Sequence, residues 1–244
     1  MAIDHLAVLE QYSDSFTAAV EGHLGEKVPS CPEWTVDDLV AHLAEVQAWW
    51  MSALLAKGGY PDEAAARRAG DTGPDRLAGW REITARYQAV QRTYPPDGPV
   101  WVWWNAAEQD LGAALASRQA HEAVVHCWDA QNAVGTPETI PAELAADGVD
   151  EFLARFLRGR EWTHGPVVVE LTSTDTGQTW RLGTVDGTGK PHRLAEGEGT
   201  PDATATGTAE QLYLTLWRRL PAEEVPVAGN REAFERVVGW PSLD

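Results

Sequence analysis

The 244 residues are 43% hydrophobic and 23% charged, enough apolar mass for a sizeable core in one large domain or two small ones. Lys and Arg number 19 against 37 Asp and Glu, a formal charge of −18 that repels phosphate backbones and anionic lipid and argues against nucleic-acid and membrane-surface roles. The start, MAIDHLAVLEQYSDSF, carries acids within its first apolar stretch, no run approaches the roughly 18 apolar residues of a membrane span, and two cysteines suit a reducing compartment, so a cytoplasmic protein with no signal peptide is expected.

The first 160 residues read as helices. Leu6, Leu9, Tyr12, Phe16 and Val20 recur at three- and four-residue steps, the spacing of one amphipathic face. After the proline-punctuated VPSCPEW, Thr35 with Asp38 three residues on resembles a capping box, and Leu39, His42, Leu43, Val46 and Trp50 follow on one face. Residues 57–75, rich in Gly, Ala and Asp, read as a loop before a third helix carrying Leu77, Trp80, Ile83 and Tyr87. TYPPDGPVWVWW (93–104) reads as a loop whose aromatics form a wall or lid. Core packing is the competing reading for Trp101, Trp103 and Trp104. A long fourth helix is predicted from about Glu108 to Val134, and a fifth from Thr139 to about Arg158.

Beyond RGREWTHGP (158–166), read as a linker, the period switches from 3.6 to 2. PVVVELTST and QTWRLGTV, joined at Asp175-Thr-Gly177, form a predicted hairpin, with a further strand near Ala203 to Thr206. Thr208 and Gln211 cap a helix carrying Leu212, Leu216 and Leu220, and a last helix spans about Arg231 to Val238. The fold class expected is α plus α/β: an all-helical domain over residues 1–158 and a small α/β domain over 165–244.

The fourth helix holds the informative constellation. Its inward row turns polar halfway along, from Leu111 and Leu115 to Glu122, His126 and Asp129. Glu122 and His126, four apart, lie one turn from each other on one face. With His42 from the second helix they make a three-ligand site of the kind that holds zinc with an open position, and Asp129 can orient a ligand imidazole. The bland alternatives are a hydrogen-bonded core histidine at His42 and a solvated Glu–His pair on a helix surface. Two inferred core faces favour the metal, because an unpaired buried carboxylate costs several kcal/mol. His121-Glu122 with His126 is not a zincin motif, since histidines five apart diverge by about 140°. DGTGKPH (186–192) lacks a full phosphate-loop signature and reads as a turn. Cys31 and Cys127 lack metal spacing and read as structural.

SCPEWTVDDLVAHLAEV, RQAHEAVVHCWDAQNAVG and LAADGVDEFL, with GTAEQLYLTLWRRLP and VAGNREAFERV in the second half, resemble in order and spacing the mycothiol-dependent maleylpyruvate isomerase family. That family belongs to the DinB-like group of four-helix-bundle metalloenzymes. The resemblance implies zinc, or another divalent metal, on His42, Glu122 and His126, with mycothiol as co-substrate beside a small-molecule substrate. It implies a catalytic arginine at Arg219, with Arg218 the neighbouring register; many relatives carry glycine where this chain has Arg218. A metal-held thiolate serves cis–trans isomerisation of an activated C=C or S-transfer to a carboxylate-bearing electrophile, in a monomer or homodimer of actinobacterial type. Two other readings compete: a hydrolase or lyase using metal-bound water, marked by thiol-independent turnover, and a non-catalytic binder on the same scaffold, marked by metal without mycothiol affinity.

Overall fold

The computed structural model describes residues 3–105, 107–159, 161–187 and 189–243. Arg160 of the expected linker and Thr188 of the DGTGKPH turn lie outside them. The chain divides into two compact units, Met1–Glu138 and Thr139–Asp244.

In the first unit four long helices form a bundle: α1 (His5–Val20), α2 (Val36–Leu55), α4 (Arg76–Thr93) and α5 (Gly112–Ala133), with a short α3 (Glu63–Ala69) between α2 and α4. The closest pairings are α1 with α5 and α2 with α4. Side chains that satisfy first-turn amides start most of them. Asp4, Asp62 and Asp75 cap α1, α3 and α4. At α2 the expected capping box is formed, with Thr35 Oγ1 accepting from the Asp38 N–H at 3.3 Å and Asp38 Oδ2 accepting from the Thr35 N–H at 2.8 Å. The apolar rows then meet in one core, where Phe16 and Val20 of α1 join Leu39 and Leu43 of α2, Trp80 and Ile83 of α4, and Ala130 of α5. Each such leucine or phenylalanine contributes about 1.5–3 kcal/mol by leaving water.

Three segments differ from the sequence expectation. The stretch 57–75 contains α3, because Asp62 caps the alanine-rich EAAARRA, whose Glu63 and Arg67 suit the helix dipole. The aromatic stretch 93–104 contains β1 (Pro99–Trp101), paired antiparallel with β2 (Gln109–Leu111) in the register Val100↔Asp110. That pairing holds Gln109–Leu111 extended, so α5 begins at Gly112 and not near Glu108.

The second unit carries a five-stranded sheet in the order β5-β4-β3-β6-β7. The predicted hairpin is β3 (Val167–Ser173) with β4 (Thr179–Thr184), antiparallel in the register Leu171↔Trp180. β6 (Ala203–Gly207) lies parallel to β3, while β5 (His192–Leu194) and β7 (Val227–Gly229) form the edges. With helices α6 (Ala142–Arg155), α7 (Ala209–Leu216) and α8 (Arg231–Gly239), this unit supplies the α/β part of the fold.

The helix α6 packs against α7 and belongs to this unit, whereas the sequence reading placed it with the bundle. The reason is visible at Gly148: a Cβ there would lie 2.5 Å from the ring of Tyr213, so the helices approach closely at that point. The change of period near residue 160 marks the start of the sheet, not the start of the unit.

Candidate metal centre

The site lies within the first unit and is built from two facing helices. His42 sits on α2 between the buried Leu39 and Leu43, and Glu122 and His126 sit on α5, a helix buried along most of its length. Polar side chains on such a helix need partners, and these find one another. Glu122 Oε1 lies 3.4 Å from His42 Nε2 and 3.3 Å from His126 Nε2. The imidazole centroids are 5.1 Å apart and steeply inclined. One ligand atom from each residue falls within 4.8 Å of the others.

Two donors on tetrahedral zinc, each about 2.0–2.1 Å from the ion, are separated by about 3.4 Å along an edge of the tetrahedron. Both Glu122–imidazole separations match that value, and two imidazoles with one carboxylate are a zinc donor set. The residues fit the ion.

Each donor is held from behind. Arg118, one turn earlier on α5 and almost wholly buried, donates from Nη2 to Glu122 Oε2 at 2.5 Å, leaving Oε1 toward the imidazoles. Asp129, fully buried, accepts from His126 Nδ1 through Oδ2 at 2.9 Å, which turns Nε2 inward. Its Oδ1 accepts from Ser30 Oγ at 2.5 Å, so the loop before α2 fixes the orienting carboxylate. The ring of Trp34 lies 4.9 Å from that of His42.

The electrostatics follow from these contacts. Burial pushes the Glu122 carboxyl up, but Arg118 and the hydrogen bonds to His126 and His42 outweigh it and hold it well below the usual carboxylate range. Burial lowers His126, and the Asp129 and Glu122 carboxylates outweigh that, leaving it raised. On the other side of α5, burial pushes the Cys127 thiol up to about 12, which makes it a packing residue.

All three expected ligands and Asp129 are therefore brought together. Arg118, Ser30 and Trp34 join them unforeseen: Arg118 stands four residues before Glu122, and Ser30 and Trp34 lie in the VPSCPEW turn.

A cavity of about 510 Å³ opens beside His42, walled by Trp49, Trp50 and Trp103. The aromatic segment divides between two roles. Trp103 faces the cavity, while Trp101 stacks on Trp50 at 6.5 Å and Trp104 is buried with its Nε1–H donating to Asp110.

Arg218 and Arg219 follow α7 in a tight helix-terminating turn. The N–H of Arg218 donates to Thr215 O and that of Arg219 to Leu214 O, at 2.9 and 2.8 Å. Arg218 has φ 59°, a left-handed conformation that glycine adopts at little cost. Its guanidinium donates to the carbonyls of Gly239 and Pro241, whereas Arg219 Nη1 donates to the Trp217 carbonyl.

Comparison with known proteins agrees with this architecture. Residues 6–131 match the mycothiol maleylpyruvate isomerase N-terminal domain, and residues 143–236 match the C-terminal domain of the same family. The chain belongs to the mycothiol maleylpyruvate isomerase family. The second match begins inside α6, consistent with that helix belonging to the second unit. No curated protein matches the chain. Among solved structures, that of the mycothiol-dependent maleylpyruvate isomerase superposes with a TM-score of 0.64 at 14% identity, over 92% of each chain. A histidine-to-alanine mutant of that enzyme gives 0.64 at 13% identity, again over 92% of each. At that identity the likeness is one of fold.

Proposed function

We propose that the chain is a metal-dependent enzyme that activates the thiol of mycothiol toward a small electrophile, by cis–trans isomerisation of an activated double bond or by S-transfer. The observation that carries this reading is the His42–Glu122–His126 cluster, in which Glu122 Oε1 stands 3.4 and 3.3 Å from the two imidazole nitrogens while His42 also lines a cavity. A divalent cation on these three residues supplies the positive charge that keeps a thiol ionised at neutral pH. The chain's own residues do the rest. Asp129 and Ser30 hold the His126 ring, Arg118 ties one oxygen of Glu122, and the cavity beside His42 leaves room for a ligand.

Addition of a thiol to C=C, rotation about the resulting single bond and expulsion of the thiol regenerates the co-substrate, which defines an isomerase. Retention of the C–S bond defines a transferase.

Arg219 is the second residue assigned to the reaction, as the group that binds a substrate carboxylate or enolate. One observation supports this register over Arg218: the Arg218 guanidinium is engaged with the carbonyls of Gly239 and Pro241 at the end of α8.

Elemental analysis of untagged protein beside Glu122→Gln tests the metal, and calorimetric titration with mycothiol tests the thiol. About one equivalent of metal in the wild type, lost in the variant, with mycothiol binding that follows metal content, is the expected result. Metal-free wild type that ignores added zinc overturns it. Turnover without thiol points to metal-bound water and a hydrolase or lyase.

A further inference from the structure

A second cavity, of about 400 Å³, lies in the first unit among α2, α3 and α4, and the proposed reaction makes no use of it. None of His42, Glu122 and His126 lines it. Neighbours on α3 divide between the two spaces: Arg67 lines the cavity beside His42, and Arg68 lines this one. Helical spacing builds its apolar side. On α2, Ala48, Met51 and Leu55 recur at steps of three and four, and on α3 Ala65 and Ala69 stand four apart, with side chains too small to fill the space. Leu55, the last residue of α2, is 64% exposed, more than any other large apolar side chain among the described residues.

The charged groups of this cavity are two guanidiniums, Arg68 in the last turn of α3 and Arg86 on α4, both exposed. Among the described residues that line it there is no Asp or Glu, in a chain of net charge −18, whereas Glu45 and Glu63 line the cavity beside His42. Glu82 meets Arg86 from one turn away only at 3.8 Å, a loose exposed pair that a better acceptor can displace. The Asp62 carboxylate caps α3 by accepting from the Ala65 N–H at 2.9 Å. Arg68 has no ion-pair partner among the described residues. Arginine lays its methylenes along apolar surface and keeps its guanidinium in water, so such a cavity suits a ligand with an alkyl body and one anionic head.

We propose that this cavity is a second ligand site, which takes an amphipathic carboxylate of acyl-chain length, its alkyl body against Met51 and Leu55 and its carboxylate on Arg68 and Arg86. The site does not depend on the thiol-activation reading.

The test uses octanoate, 1-octanol and octylamine, one alkyl body with three head groups, titrated calorimetrically into the full chain without mycothiol and with a chelator present. The chelator removes any metal that could hold a carboxylate at His42, so failure here is distinct from failure of the proposed reaction. Octanoate should bind tighter than octanol by about threefold or more, with octylamine the weakest. Arg68→Gln with Arg86→Gln should abolish that preference and leave octanol unchanged. Leu55→Asp should weaken octanoate by about tenfold, because it removes apolar area and adds a like charge. All three positions are exposed, and the denaturation midpoint checks that each variant folds. Met51 reports on the site directly. It is one of two methionines in the chain, so with isotope-labelled methionine methyl groups octanoate should shift the Met51 resonance and leave that of Met1 in place. Octanol binding as tightly as octanoate overturns the proposal, as does a preference unmoved by the arginine pair, or heat released with the Met51 resonance unmoved. Octanoate binding seen only without chelator overturns it by placing the carboxylate on the metal. Sedimentation with phosphatidylglycerol vesicles, lost in the arginine pair, overturns it by making the patch a membrane contact.

Discussion

The candidate metal cluster and the cavity wall share His42 but are built on opposite principles. In the cluster, on the α5 side, each carboxylate oxygen and imidazole nitrogen that points away from the ligand atoms has a fixed partner. Arg118 holds Glu122 Oε2, Asp129 holds His126 Nδ1, and Ser30 holds Asp129. On the wall side, Glu45, Glu63, Arg67 and Trp103 are exposed, and aromatic packing, not a polar network, sets the shape. A buried polar cluster must be satisfied throughout to be tolerated at all, so it admits few alternatives. An exposed wall can change residue by residue without unfolding the bundle. Under the proposed function, the chemistry falls to the cluster and the choice of substrate to the wall.

The largest effect is expected where the cluster's charge balance is broken. Arg118→Met removes the cation facing Glu122, and breaking a mostly buried pair costs about 3–5 kcal/mol of stability. Denaturant titration in the presence of a chelator measures that cost. Saturating zinc should shrink it, because the cation replaces the missing positive charge on the same carboxylate. A loss of equal size with and without zinc would mean that Arg118 acts through packing and not through Glu122.

Next in size is the orienting carboxylate. Asp129→Asn keeps the shape but no longer holds an ionised acceptor at His126 Nδ1, and such partners are worth about 10–100-fold in metal affinity. Competition with a chromophoric chelator reads the shift. Unchanged affinity would show that the α5 backbone alone fixes the His126 ring, and the contrast between a tied cluster and an open wall would then weaken.

This contrast also explains what could be read from the sequence. The cluster of His42, Glu122, His126 and Asp129 was legible because the helical repeat carries it: Glu122, His126 and Asp129 share a face, and His42 interrupts an apolar row. Arg118 was equally in register, but an arginine four residues from a glutamate is ordinary on solvated helices, and only its burial distinguishes it. Ser30 reaches Asp129 across 99 residues of chain, a pairing that no periodicity encodes. The hairpin under the tryptophans was hidden by Pro95 and Pro96, which signal loop, while Val100 and Trp101 behind them pair with β2. The grouping of α6 with the second unit depends on the fit of Tyr213 against Gly148, a packing relation between distant residues.

The smallest expected effect is the one that separates cluster from wall most cleanly. Trp103→Ala removes a large side chain that is 36% exposed, at a position outside both apolar cores of the bundle. Substitutions at such sites usually change stability by no more than about 0.5 kcal/mol, and Trp103 is not one of the three proposed ligands. Metal content and denaturation midpoint should therefore match the wild type while ligand affinity falls. Trp104→Ala is the internal control: its side chain is buried against Trp50 and its indole N–H is bonded to Asp110, so truncation should cost about 3–5 kcal/mol. Adjacent tryptophans would then differ in stability but not in kind, one backing the wall and the other facing the ligand. If Trp103→Ala also lost its metal, the cavity and the cluster would be one coupled structure, and substrate choice would not be separable from the chemistry.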